Sequence, residues 1–179
     1  MCTTIKVKDE PIVATKPVRC WKILRWNNER KLEGVYSRFE YLRGFIYTSR
    51  DWKAQLLEAK NMHATYKRYN ENRDWQGDLE VTNNMNIPLP ASETTMDRGG
   101  FHSFLTEKDA RYFFSKERYW KKSEYALALC EIPAGAEYLR GSYPSGRNPR
   151  TDAVIEFPSY LSQGMKVLKV KAWKKPVKK

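Results

Sequence analysis

The stretch from Gly99 to Ile132, GGFHSFLTEKDARYFFSKERYWKKSEYALALCEI, holds the clearest local patterns of the chain. Residues 101–105, F-H-S-F-L, are short and aromatic and predict a strand. Thr106 and Asp109 then have the spacing of a capping box, in which a side chain satisfies a free backbone N–H at a helix start. The pattern predicts a helix over residues 107–119, directly after the strand.

Working outward, the run YALALCEI at 125–132 is apolar on both sides and predicts a strand covered on both faces. Upstream, V-R-C-W-K-I-L-R-W at 18–26 alternates apolar and basic residues, which is typical of a strand with one wet face. Two short extended segments, at 32–36 and 43–48, follow a turn signal. These segments together predict an antiparallel meander.

A second helix is predicted over residues 50–62, because Trp52, Leu56 and Ala59 recur at helical spacing. The polar stretch 76–100 follows, and a loop of that length inside a compact domain is more often functional than inert. We therefore predict an α+β fold with a mainly antiparallel, twisted sheet, two packed helices and a long central loop that acts as a lid or binding loop.

The 179 residues are enough for one domain. We predict a mostly irregular leader at 1–17, with an edge segment allowed within it, a single α+β domain at 18–173 and a basic tail at 174–179. A helix that crosses a membrane needs a run of about 18 apolar residues, and the sequence contains no such run. The first residues also lack the apolar core of a secretory signal. These features predict an intracellular protein without membrane contact.

The sequence contains too few cysteines and histidines to predict a metal site or a set of disulfide bonds. The cysteines lie at 2, 20 and 130, too far apart for a Cys-x-x-Cys pair. Only two histidines are present, His63 and His102, so a histidine-rich metal site is excluded. We predict no metal and no cofactor for the binding function.

Charge is the dominant feature of the composition. Lys and Arg number 33 against 21 Asp and Glu, a net charge of +12, which favours nucleic acid or an acidic protein surface as partner. Cations beside aromatic rings are typical of nucleic-acid surfaces, although the same pattern also covers the wet face of a sheet. The predicted contact residues are Arg19, Lys22, Arg25, Lys67, Arg68, Arg140, Arg147, Arg150, Lys174, Lys175, Lys178 and Lys179.

A catalytic role has four candidates. His102 lies between Phe101 and Phe104 after two glycines, where it would act as a base or orient a ligand. A histidine with apolar neighbours is more often a hydrogen-bonded structural residue, so that interpretation is the alternative. The other three candidates, Arg25, Thr48 and Glu156, belong to a resemblance described below.

Several short motifs resemble a loose group of small phage and prophage domains of unknown function. These motifs are Gly-Phe-His-x-Phe at 100–104, Thr-x-x-Asp-Ala at 106–110, Glu-Ile-Pro-x-Gly at 131–135, and Phe39-Glu40-Tyr41 with Gly44 and Tyr47. The resemblance covers residues 18–157. It implies an α+β fold and a phage or mobile-element origin, and it implies no particular activity.

A second resemblance concerns mono-ADP-ribosyltransferases, which use NAD. Arg25, the Tyr47-Thr48-Ser49 step and Glu156 are similar to the Arg, Ser-Thr-Ser and Glu pattern of that family. It implies that Arg25 holds pyrophosphate, Thr48 positions the ribose and Glu156 supports an oxocarbenium-like transition state. The Ser-Thr-Ser motif is incomplete here, and Val154 stands where a second acid would lie.

The sequence thus favours a non-enzymatic basic binding protein, phage-encoded by resemblance, that engages nucleic acid or an acidic protein surface. The alternatives are an ADP-ribosyltransferase-like enzyme using NAD, and an inhibitor or virion component that acts by protein contact. The sequence does not specify an oligomeric state.

Overall fold

A computed structural model describes residues 3–6, 8–35, 39–71, 93–96, 100–116, 121–147 and 154–172. The elements in chain order are β1 (Thr3–Lys6), β2 (Ile12–Val13), β3 (Val18–Trp26), β4 (Leu32–Gly34), β5 (Ile46–Thr48), α1 (Trp52–Glu71), β6 (Glu93–Met96), β7 (Phe101–Phe104), α2 (Glu107–Lys116), a 3₁₀ turn (Lys122–Glu124), β8 (Tyr125–Ile132), β9 (Glu137–Arg147), β10 (Val154–Ser162) and β11 (Gly164–Ala172).

These strands form one sheet in the order β5-β11-β8-β3-β7-β10-β9-β1-β6, with β2 paired to β9 and β4 paired to β3. Each of these strand pairings is antiparallel. The predicted α+β class, a mainly antiparallel sheet with two helices, is confirmed at this level, and the sheet dominates.

The sheet consists of two halves that meet at a narrow junction. Strands β3 and β7 share a single residue pair, Trp21 with Phe104. We call β5-β11-β8-β3, with β4, the first half, and β7-β10-β9-β1-β6, with β2, the second half. Only Gln163 separates β10 from β11, so the chain passes directly from the second half into the first.

The two halves pack against each other through their inner faces. Cys20 and Cys130 from the first half share a buried cluster with Tyr138 and Tyr160 from the second. Helix α1 covers the other face of the second half, where Trp52 packs near Ile5, Leu139 and Leu161. The core is therefore layered, with a helix outside and two apposed sheet halves within.

Helix α2 begins as the capping box predicts. The Asp109 N–H donates to Thr106 Oγ1 at 3.1 Å, and the Thr106 hydroxyl donates to Asp109 Oδ2 at 2.6 Å. Ala110, Phe113 and Phe114 are buried, as the spacing predicts. The helix ends at Lys116 in the described chain, and residues 117–119 of the predicted helix lie outside it.

Helix α1 differs from the prediction at both ends. It begins at Trp52, two residues after the predicted start, and the Asp51 carbonyl accepts the first bond from the Gln55 N–H at 2.9 Å. It continues to Glu71, well beyond the predicted end at 62. Polar composition hid this extension, because an apolar stripe is what identifies a helix in sequence.

The prediction of an irregular leader over 1–17 is wrong for Thr3–Lys6, because β1 lies inside the sheet between β9 and β6. The predicted loop at 76–100 is wrong at Glu93–Met96, which forms β6 and pairs with β1. Residues 76–92 and 97–99 of that loop lie outside the described chain. β6 pairs with β1, and β1 also pairs with β9, so both strands depend on partners far along the chain that local sequence cannot show.

Candidate nucleic-acid interface

The outer face of the first half begins with the alternation of β3. Cys20 and Leu24 point into the buried cluster between the halves. Since side chains alternate along a strand, Arg19 and Trp21 point the other way. Arg19 pairs with Glu131 of β8, and Trp21 pairs with Leu129.

Strand β11 adds three lysines to this outer face. Lys166 pairs with Glu131, Lys169 with Leu129 and Lys171 with Leu127. Lys166 and Lys169 are three positions apart and would face opposite sides in a regular strand. The register shift between Val167 and Lys169 leaves Leu168 unpaired, and this bulge returns Lys169 and Lys171 to the side of Lys166.

We name this surface the basic face, formed by Arg19, Trp21, Glu131, Lys166, Lys169 and Lys171. Helix α2 covers the neighbouring end of the same outer face, where Ile23 and Leu127 pack with its phenylalanines. The end that carries Arg19 and Lys169 is left exposed.

Two lysines of the basic face are held by acids. Lys171 Nζ donates to Glu107 Oε2 at 2.9 Å and lies 4.7 Å from the centroid of the Trp21 ring. The hydrogen bond from Lys171 lowers the pKa of Glu107 below its usual value. Lys166 Nζ lies 3.6 Å from Glu131 Oε1. Arg19 and Lys169 are exposed and have no ion pair among the described residues, so their charges are available to a ligand.

Lys22 is a correction to the predicted contact residues. Its side chain is buried, its ammonium donates to the His102 carbonyl at 2.7 Å, and it lies 5.7 Å from the centroid of the Tyr41 ring. Burial lowers the pKa of Lys22 below its usual value. Lys22 lies two positions from both Cys20 and Leu24 on β3, so its side chain points to the same inner side as theirs and not to solvent.

His102 is buried as well. Its Nδ1 lies 2.7 Å from Thr3 Oγ1, and its Nε2 has no hydrogen-bond partner among the described residues. Burial is the largest cause that lowers the pKa of His102 well below its usual value, and the nearby charge of Lys22 adds to it. The imidazole is therefore a neutral interior group in contact with β1.

Arg25 lies at the opposite end of the outer face from Arg19. Its Nε donates to Glu33 Oε1 at 3.0 Å, a bond that raises the pKa of the guanidinium. It lines a cleft of about 750 Å³ with Trp26, Asn27, Asn28, Glu33, Ser123 and Glu124. The carboxylates of Glu33 and Glu124 carry more charge than the single guanidinium of Arg25, so the cleft lining is net negative. Arg25 is therefore not part of the basic face.

The structure does not bring Arg25, Thr48 and Glu156 together. Arg25 pairs with Tyr125 at one end of the first half, whereas Thr48 pairs with Gly164 at the other end. Followed through the strand pairings from β5 to β11, β8 and β3, Thr48 lies eight residue positions from Arg25 along the strand direction. That separation is about 26 Å at the usual rise per residue. Glu156 pairs with Pro144 in the second half, six positions before β10 ends.

The remaining predicted contacts are spread over the chain. Arg140 lies opposite Tyr160 in the second half, away from the basic face. Lys67 and Arg68 belong to α1 and Arg147 to β9, but their side chains lie outside the described part. Arg150, Lys174, Lys175, Lys178 and Lys179 also lie outside it.

Four residues of the basic face were not among the contact residues predicted from the sequence: Trp21, Lys166, Lys169 and Lys171. The signal was present, because lysines are interleaved with valines in M-K-V-L-K-V-K at 165–171. The bulge at Leu168, which sets their common face, was not visible in that pattern.

Comparisons with protein families, with curated proteins and with solved structures find no match for this chain. Among the described residues, no three His, Cys, Asp or Glu side chains are grouped so that they could hold a metal ion. Within the same residues, neither helix is both long and apolar enough to cross a bilayer.

Proposed function

We propose that this protein is a non-enzymatic basic protein that binds nucleic acid through the basic face. The observation that carries the proposal is the convergence of Arg19, Lys166, Lys169 and Lys171 from two strands onto one open side of the sheet. Phosphate neutralisation supplies most of the affinity of non-specific nucleic-acid binding.

The arrangement favours a polyanion over a single small anion. Lys169 and Lys171 are two positions apart on β11, about 7 Å at the usual rise, and Arg19 lies two strands away, about 10 Å. Charges spaced in this way match a chain of phosphates better than one phosphate. Trp21 gives the face a flat ring beside the cations, as nucleic-acid surfaces commonly have.

The salt dependence of binding tests the proposal. With four cations in contact, affinity for a fluorescent oligonucleotide should fall roughly a hundredfold between about 50 and about 200 mM salt. The double variant Arg19→Gln with Lys169→Gln removes the two unpaired cations, so the slope of log affinity against log salt should become shallower by about two. Fluorescence anisotropy measures both quantities.

A matched control separates position from total charge. The double variant Lys8→Gln with Lys53→Gln lowers the net charge of +12 by the same two units, but both lysines lie outside the basic face and are exposed. Its slope should equal that of the unmodified protein. Equal slopes for all three proteins, or a flat salt response, would refute the proposal.

The basic tail adds a second arm to this test. Removing residues 174–179 deletes four lysines that follow β11, the strand that carries three cations of the basic face. If the tail contributes to the same interface, the slope should become still shallower than in the Arg19 and Lys169 variant. An unchanged affinity would limit the interface to the basic face.

A further inference from the structure

The cleft lined by Arg25 is separate from the basic face. Residues 25–28 and Glu33 of the β3–β4 hairpin form one wall, and Ser123 and Glu124 of the 3₁₀ turn contribute the rest of the lining. We name this site the hairpin cleft. Its volume of about 750 Å³ lies in the usual range of small-molecule sites, roughly 300 to 1,000 Å³.

Asn27 fixes the turn of the hairpin. Its side-chain oxygen accepts from the Glu29 N–H at 3.0 Å and from the Lys31 N–H at 2.9 Å. Its own backbone N–H donates to the Lys31 carbonyl at 2.9 Å. These bonds hold one wall of the hairpin cleft in place, and a site that is already ordered loses little conformational entropy when it binds a ligand.

Glu33 gives the cleft a buried carboxylate with one unused oxygen. The residue is 6% exposed, and Arg25 directs both Nε and Nη2 at the same oxygen, Oε1. The other oxygen, Oε2, accepts no hydrogen bond within the described chain, and it is not sealed from solvent. Because Glu33 lines the cleft, Oε2 is an acceptor held in position for a ligand. A hydrogen bond to such a buried acceptor is stronger than the same bond in water.

The other polar groups of the lining supply donors as well as acceptors. Trp26 has an indole N–H, Asn28 a side-chain amide and Ser123 a hydroxyl. The described chain gives these three side chains no hydrogen-bond partner. Trp26 is half-buried and is the one apolar side chain of the lining among the described residues. The cleft therefore combines one flat apolar ring with a mixed set of donors and acceptors.

The charges in and beside the hairpin cleft cancel. Arg25 is paired with Glu33, a bond that raises the pKa of the guanidinium. The remaining carboxylate of the lining is Glu124, and Lys121 Nζ lies 3.6 Å from its Oε1. With Lys121 counted, two cations stand against two carboxylates. A neutral polar ligand fits this balance better than an ion.

We propose that the hairpin cleft binds a neutral carbohydrate of one or a few sugar rings. Sugar hydroxyls donate and accept at the same time, so they can use both kinds of group in the lining. One hydroxyl donates to Glu33 Oε2, others bond to Asn28 and Ser123, and the C–H face of a ring packs on Trp26. This site goes beyond the proposed nucleic-acid function and does not depend on it.

Three other small ligands fit less well. A phosphate would meet the carboxylates of Glu33 and Glu124, and an ammonium group would meet the guanidinium of Arg25. A nucleobase is usually held between two aromatic or apolar side chains. Among the described residues, the lining offers it only Trp26.

The probes are four neutral trisaccharides, maltotriose, cellotriose, mannotriose and the N-acetylglucosamine trimer, titrated into the full chain by calorimetry. Two variants damage the cleft in different ways. Asn28→Ala with Ser123→Ala removes two exposed polar groups, and Trp26→Leu removes the flat ring but keeps an apolar side chain. Thr15→Ala with Ser115→Ala is the matched control, because both side chains are exposed and lie outside the cleft.

At least one trisaccharide should bind the unmodified protein with a Kd of about 1 mM or lower, which a few hydrogen bonds and one packed ring can supply. The control variant should bind it equally. Each cleft variant should bind about tenfold more weakly, since each loses hydrogen bonds or apolar contact. The charged counterparts, a galacturonic acid trimer and a glucosamine trimer, should bind more weakly than the neutral sugars.

Four results would overturn the inference. The first is that none of the four neutral sugars binds, and the second is equal sugar affinity in the cleft variants and the control. The third is tighter binding of either charged trimer than of every neutral one. The fourth is cleft-dependent binding of guanosine or adenosine without sugar binding. None of these concerns oligonucleotide affinity, so failure here is distinguishable from failure of the proposed function.

Discussion

His102 and Lys22 form a polar contact inside the protein. The Lys22 ammonium donates to the His102 carbonyl, and the His102 ring lies against Thr3 of β1. Both side chains are buried, and burial lowers the pKa of each below its usual value. The lower pKa favours the neutral form of each group. The sequence placed these residues in possible functional roles, whereas the structure makes them interior groups that join β3, β7 and β1.

Acid should destabilise the protein through His102. The pKa of His102 is well below 6.5 in the folded chain, so below that pH the unfolded chain binds a proton that the folded chain does not. Stability is therefore lost as pH falls through 6.5, by up to about 1.4 kcal/mol per pH unit. His102→Gln lacks this proton, so its free energy of unfolding should fall less steeply between pH 7 and pH 5, as urea titrations would show. Parallel pH profiles for the two proteins would contradict the assignment.

At the scale of the element, β11 shows how one residue sets the composition of a surface. Met165 and Val167 face the core, and Lys166, Lys169 and Lys171 face outward. Leu168 is the unpaired residue between these two regular segments. Without it, M-K-V-K-V-K alternates strictly and keeps every side chain on its present face.

Deletion of Leu168 should therefore be tolerated. The expected loss of stability is about 1 to 2 kcal/mol, because one half-buried side chain and the bond from Arg43 Nε to the Leu168 carbonyl are removed. Deletion of Leu129 in the unbulged strand β8 is the control, and it should prevent folding because it reverses the faces of half that strand. Circular dichroism and urea unfolding compare the two deletions. Equal damage from both would show that Leu168 is not the bulge residue.

At the scale of the whole molecule, the N-terminal strand joins distant parts of the chain. Thr4 of β1 pairs with Ser142 of β9, and β1 also pairs along its length with β6. Gly141 permits this approach, since a Cβ at that position would lie 2.3 Å from the Thr4 carbonyl oxygen. The second half of the sheet depends on this close contact.

Gly141→Ala should destabilise the protein by about 2 to 3 kcal/mol, because backbone atoms of β1 must move to admit the methyl group. Gly44→Ala is the matched control. Nothing lies within 4 Å of a Cβ at Gly44, so its cost is only the strain of a φ of +85°, about 1 to 2 kcal/mol. Thermal or urea unfolding measures both, and an equal or smaller loss for Gly141→Ala would contradict the close packing of β1.

Local patterns by themselves determined β3, β8 and α2, because alternation, continuous apolar runs and a capping box act over a few neighbouring residues. They also determined that the protein is strongly basic. Only the tertiary structure decided that β1 and β6 are strands, since each needs a partner far along the chain. It also decided which cations share a face. The bulge at Leu168 and the inward parity of Lys22 arise from pairing with β8 and packing between the two halves, and these long-range constraints leave no local signature in the sequence.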